Sequence, residues 1–62
     1  MNIQNLVRDV VHKHRLTQDQ LGKLVGKSQS WACRAINGQV KRIDVDVFNK
    51  LNTALNQDVL PS

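Results

Sequence analysis

Several features that support catalysis, metal binding or covalent stabilisation are scarce in this 62-residue sequence. Its one cysteine, Cys33, cannot form an intrachain disulfide. His12 and His14 lack the further ligands of a zinc site. No pair of carboxylates and no nucleophile beside a base is evident. We therefore expect neither an enzyme nor a protein with a metal, a cofactor or a small-molecule substrate.

Long apolar runs are also missing, and the N-terminal stretch "MNIQNLVRDVV" has neither a basic leader nor a small-residue cleavage site. The sequence thus predicts neither export nor a membrane span. The expected location is the cytoplasm, which agrees with a free thiol.

Glutamate is absent, and nine Lys and Arg residues stand against five Asp, so the net charge is +4 and the isoelectric point is near 9.9. Such a balance favours an anionic partner. The chain is long enough for a single domain, 1–62, whose core is near the lower limit for independent folding. Its stability must come from helix packing, helped by a second subunit.

Apolar spacing and capping residues predict three helices in the first 38 residues. The first, at about 2–15, has one apolar face made by Ile3, Leu6, Val7, Val10 and Val11. The second begins after Thr17, which forms a capping box with Gln20, and it ends at Gly26. Ser28 then caps a third helix at about 29–36, and the pair Asn37 and Gly38 stops it.

The stretch 39–57 has two overlapping patterns. Ile43, Val45 and Val47 alternate with aspartates as in a strand, whereas a longer helical pattern runs through Val47 and Leu51. We predict a fourth helix at about 46–56, capped by Asp46 or Asp44, with a short strand at 40–45 as the alternative. The tail is long enough for at most a fifth, terminal turn. The predicted fold is an all-α domain of four helices.

Two short helices joined by a Gly-containing turn of about three residues are typical of a helix-turn-helix unit, here about 17–37. On the third helix, Ala32, Ala35 and Ile36 share the inner side. Arginine suits a guanine edge, glutamine suits adenine, and serine bonds to several bases. The candidate base-reading residues are therefore Gln29, Ser30 and Arg34.

Further contacts are predicted around these three residues. Cys33 and Asn37 lie on the outer side, and Trp31 lies on the border, where it either fills the core or touches a thymine methyl or a sugar. Candidate phosphate contacts come from residues that flank the reading helix: Gln18 at the start of the second helix, Lys27 in the turn, and Lys41 and Arg42 after the third helix.

The segment "LTQDQLGKLVGKSQSWACRAINGQVKR", residues 16–42, resembles the Cro and repressor helix-turn-helix proteins of lambdoid phages, and "VFNKLNTALN" resembles their fourth helix. Gly22 stands where that family usually has Ala, and Ala32 where it usually has Val or Ile. The resemblance implies a lambda-repressor-like fold and a homodimer that represses transcription by binding palindromic operator DNA in a bacterial host. Residues matching the four candidate phosphate contacts bind the DNA backbone in that family.

A homodimer needs a surface, and the apolar residues left over by the predicted core supply candidates. They are Val40, Ile43, Val45, Val59 and Leu60.

The alternative function is a protein-interaction module, such as an antitoxin or an anti-repressor, that keeps the fold without reading DNA. A cationic peptide that lies on membranes would need a strongly basic amphipathic helix, and helix one is too nearly neutral for that.

Overall fold

The computed structural model describes residues 2–57, which form four α-helices: α1 (Ile3–His14), α2 (Gln18–Val25), α3 (Gln29–Ile36) and α4 (Val45–Asn56). The all-α class is confirmed, and each predicted helix is present to within one residue at either end. Residues 40–44 have no regular structure, so the alternative strand at 40–45 is wrong. The terminal turn considered for the tail, with Val59 and Leu60, lies outside the described residues.

Side-chain caps fix where each helix begins. The capping box of α2 is complete, because Thr17 Oγ1 accepts from the Gln20 N–H at 3.1 Å while the Gln20 side chain accepts from the Thr17 N–H at 2.8 Å. Asp44 caps α4 by accepting from the Val47 N–H at 2.8 Å, which decides between the two aspartates. Asp46 lies in the first turn of α4, where its negative charge interacts favourably with the helix dipole.

The core is entirely apolar in the part of the chain that the structure describes, and every helix contributes to it. The most extensive contact between helices joins α2 to α3, while α1 packs on both α3 and α4. Because no charged side chain is buried there, all charged groups in residues 2–57 remain available to solvent or to a partner. The buried hydrophobic residues are Leu6, Val7, Val10, Leu21, Val25, Ala32, Ala35, Val47, Leu51 and Ala54.

The C-terminal ends of α1 and α4 are joined by hydrogen bonds. Lys13 Nζ donates to the Leu55 carbonyl at 2.5 Å, and His14 Nε2 lies 2.7 Å from the Ala54 carbonyl, to which it donates. These two carbonyls belong to the last turn of α4, where few helical donors remain, and the Ala54 carbonyl also accepts from the Gln57 N–H at 3.3 Å. His14 therefore acts as a structural residue at the end of α1.

Candidate nucleic-acid interface

The turn between α2 and α3 is short and held by backbone hydrogen bonds. It comprises residues 26–28, and Gly26 adopts a left-handed conformation with φ of 72°. The Lys27 N–H donates to the Gly22 carbonyl at 2.7 Å, closing the last turn of α2. Ser28 Oγ then accepts from the Trp31 N–H at 3.1 Å and begins α3. The relative direction of the two helices is thus set by the backbone of the turn.

Gly22 allows that turn to lie directly on α2. It is buried, and a Cβ atom built on it would lie 2.8 Å from the Ser28 carbonyl oxygen and 2.9 Å from the Lys27 carbonyl oxygen. Both distances are too short for any real side chain, and the opposing atoms are backbone. The sequence marks Gly22 only as a departure from the resembled pattern, whereas the structure gives it a packing reason.

The two sides of α3 differ as its residue pattern predicts. Ala32 and Ala35 are fully buried against the core, whereas Gln29, Ser30 and Arg34 are exposed. Arg34 Nε donates to the Ser30 carbonyl at 3.4 Å, so the guanidinium lies along the helix. The structure therefore leaves all three candidate base-reading side chains open to a partner.

The three additional candidate contacts of α3 differ in accessibility. Trp31 is half-buried and packs against the core, which shows a packing role for this side chain. Cys33 is half-buried, and its Sγ accepts from Asn37 Nδ2 at 3.6 Å. Asn37 itself is exposed at the end of α3. Of these three residues, Asn37 is therefore the most available for an additional contact.

Charge is distributed unevenly along the chain. No acidic residue occurs between Asp19 and Asp44, a stretch that contains α3 together with Lys27, Lys41 and Arg42. In residues 2–57 the ion pairs are Lys23 with Asp19 and Lys50 with Asp46, which lie on α2 and α4. The positive charges on α3 and on its flanking segments are consequently not neutralised by any described carboxylate.

All four predicted phosphate contacts are exposed. Gln18 is the first residue of α2, and Lys27 lies in the turn before α3. Lys41 and Arg42 belong to the connection from α3 to α4, where Lys41 Nζ donates to the Gly38 carbonyl at 3.2 Å. These groups therefore stand before and after the exposed side of α3 along the chain.

The candidate dimer residues behave differently from one another. Val40 and Ile43 are half-buried and pack against the core of their own chain. Val45 at the start of α4 is 74% exposed, an unusual value for a large apolar side chain. Among the described candidates, Val45 therefore has the most exposed apolar area for contact with a second subunit.

Gln4 is a further residue at this site, which no sequence pattern indicates and which reaches the end of α3. Gln4 Nε2 donates to the Ile36 carbonyl at 3.0 Å, across 32 positions of the chain. Its amide also lies against Gly38, because a Cβ there would be 3.0 Å from Gln4 Oε1. No local pattern could have indicated this contact, since it depends on how α1 packs on α3.

Among the described residues no cluster of His, Cys and Asp could hold a metal ion. None of the described helices combines the length and apolar character needed to cross a membrane.

Comparison with known proteins finds no relatives: the chain matches no family model, no curated protein and no solved structure.

Proposed function

We propose that this protein is a sequence-specific DNA-binding transcriptional regulator, a Cro-like repressor that binds a palindromic operator as a homodimer. The observation that carries the proposal is the exposed polar side of α3, which lies in a stretch without acidic residues and is joined to α2 by a three-residue turn. An α-helix of this kind fits the major groove of B-DNA. Such a regulator would act in the cytoplasm of a bacterial host.

Base reading is assigned to three side chains. Arg34 would turn its guanidinium from the Ser30 carbonyl toward the N7 and O6 acceptors of a guanine. The hydrogen bond to the Ser30 carbonyl is long, at 3.4 Å, so breaking it costs little free energy. Gln29 lies in the first turn of α3, the end that enters the groove, and suits adenine; Ser30 follows it.

Phosphate contacts would fix the register of α3 without reading sequence. Lys27, Lys41 and Arg42 supply three positive charges in each subunit, and Gln18 supplies an amide at the N-terminus of α2. If a dimer neutralises six phosphates, log K should fall against log salt concentration with a slope of about −5.

Pairing of two subunits would multiply the weak affinity of a single module. Two reading helices related by a two-fold axis require half-sites about one helical turn apart. Val45 is the described residue best placed to contribute apolar area to the pairing, together with Val40 and Ile43, and with Val59 and Leu60 of the tail.

Selection of bound sequences from a random duplex pool at two salt concentrations tests the proposal. We expect an enriched palindrome and an affinity that falls steeply with salt. Arg34→Ala should cost about 1 to 3 kcal/mol of binding free energy and relax the preference at one base pair. Arg8→Ala is the matched control, because it removes the same charge from an exposed position on α1.

Two results would overturn the proposal. One is the absence of any enriched palindrome, and the other is an affinity that is indifferent to salt. A protein-interaction module would give no enriched palindrome, and Arg34→Ala would leave its binding to a partner protein unchanged.

A further inference from the structure

The N-terminus of α1 is tied to the C-terminal end of α3 through one side chain. Gln4 is half-buried, and its Nε2 donates to the carbonyl of Ile36, the last residue of α3. This carbonyl is one of the four at a helix end that lack an intrahelical donor. The bond therefore joins two elements and satisfies a backbone acceptor.

The backbone next to Ile36 is shaped to receive the Gln4 amide. Gly38 has a φ of 79°. A Cβ atom at this position would lie 3.0 to 3.2 Å from three atoms of the Gln4 amide, so the absence of a side chain leaves room for that amide. The Gln39 N–H donates to the Arg34 carbonyl at 2.8 Å, which closes the last turn of α3 over the same residues. Gln4 thus contacts Ile36 and Gly38, which lie at the end of the last helical turn of α3, the turn that contains Arg34.

We infer that Gln4 is a positioning residue for DNA recognition, which holds the last turn of α3 so that Arg34 presents its guanidinium to a base. This inference rests on the proposed function. Gln4 need not touch DNA to act in this way, since its amide donates to the Ile36 carbonyl at the C-terminal end of the helix and not to a group on its exposed side. Loss of the bond would leave the exposed side of α3 chemically intact but less well oriented.

Orientation and charge have different signatures in DNA binding. A positioning residue affects base contacts, so its loss lowers the ratio of specific to non-specific affinity. A lost cation weakens both kinds of binding and lowers the salt slope by about one. The two effects can be separated within the same set of titrations.

Gln4→Met tests the inference, because methionine has similar length and helix propensity but no donor. Asn5→Met is the control on the neighbouring exposed position, whose side chain makes no hydrogen bond within residues 2–57. Lys41→Gln serves as the reference for a lost cation. Affinities for the selected operator and for unrelated duplex would be measured over a range of salt, with the folded fraction determined by urea unfolding.

For Gln4→Met we expect the specificity ratio to fall about three- to tenfold, the value of one hydrogen bond, with the salt slope unchanged. A ratio equal to that of the wild type, an equal loss in Asn5→Met, or a loss explained by the unfolded fraction would overturn the inference. Failure of the wild type to select any sequence would instead refute the proposed function, and with it the role of Gln4 in recognition.

Discussion

Replacement of Gly22 by alanine sets two known effects against each other. Alanine is favoured over glycine inside a helix by about 1 kcal/mol. In this structure, however, the added Cβ would lie 2.8 Å from the Ser28 carbonyl oxygen and 2.9 Å from that of Lys27. Neither atom is the end of a flexible side chain, so the turn or the helix must shift. Overpacking of this kind typically costs about 1 to 3 kcal/mol.

The upper part of that range applies at Gly22, because a shift of the turn also weakens a hydrogen bond. The Lys27 N–H donates to the Gly22 carbonyl at 2.7 Å, so the same movement that relieves the clash lengthens this bond. After subtraction of the helix propensity of about 1 kcal/mol, we expect Gly22→Ala to lower the free energy of unfolding by about 1 to 2 kcal/mol. In a domain of this size the melting temperature should fall by about 4 to 8 °C for each kcal/mol lost.

Urea unfolding, followed by circular dichroism and by the fluorescence of Trp31, measures the effect. The chain contains one tryptophan, and it is half-buried against the core, so its emission should respond to unfolding. Asn52, exposed in the middle of α4, provides the baseline: Asn52→Ala should be more stable than Asn52→Gly by about 1 kcal/mol. A Gly22→Ala protein as stable as the wild type would refute the reasoning from close backbone contact.

Two further changes probe the beginning of α2 and the proposed dimer. Thr17→Ala removes the acceptor for the Gln20 N–H and should lower the free energy of unfolding by about 1 kcal/mol in urea titrations; an unchanged midpoint would contradict the role of the capping box. Val45→Asp should weaken self-association in sedimentation equilibrium while leaving thermal unfolding of the monomer nearly unchanged, because the side chain is already 74% exposed. Equal association constants for variant and wild type would remove Val45 from the dimer surface.

Local signals account for the features of the fold that the sequence predicts well. Thr17 and Ser28 bond to backbone groups three residues ahead, so their capping roles are visible within a few residues of the chain. The sequence leaves the start of α4 ambiguous, because Asp44 and Asp46 are both suitable caps and the valines around them alternate. The packing of Val47 and Leu51 into the core favours the helix there, and only the folded chain contains that packing.

The features that escaped prediction depend on distant parts of the chain or on backbone geometry. Arg15 ends α1 in a left-handed conformation with φ of 53°, a role for which no glycine gives a signal. The bond from Gln4 to the Ile36 carbonyl spans 32 positions. The helical wheel places Trp31 on the border between core and partner, and its packing depends on neighbours that the wheel does not contain.

The same contrast explains why the outer side of α3 can carry a recognition sequence. The direction of α3 is set by Gly22, by the backbone of residues 26–28 and by the buried alanines Ala32 and Ala35. None of these groups lies on the exposed side, so the fold places little demand on the residues there. Since Gln29, Ser30 and Arg34 contribute almost nothing to the core, the fold leaves their identities free for the DNA contact that we propose.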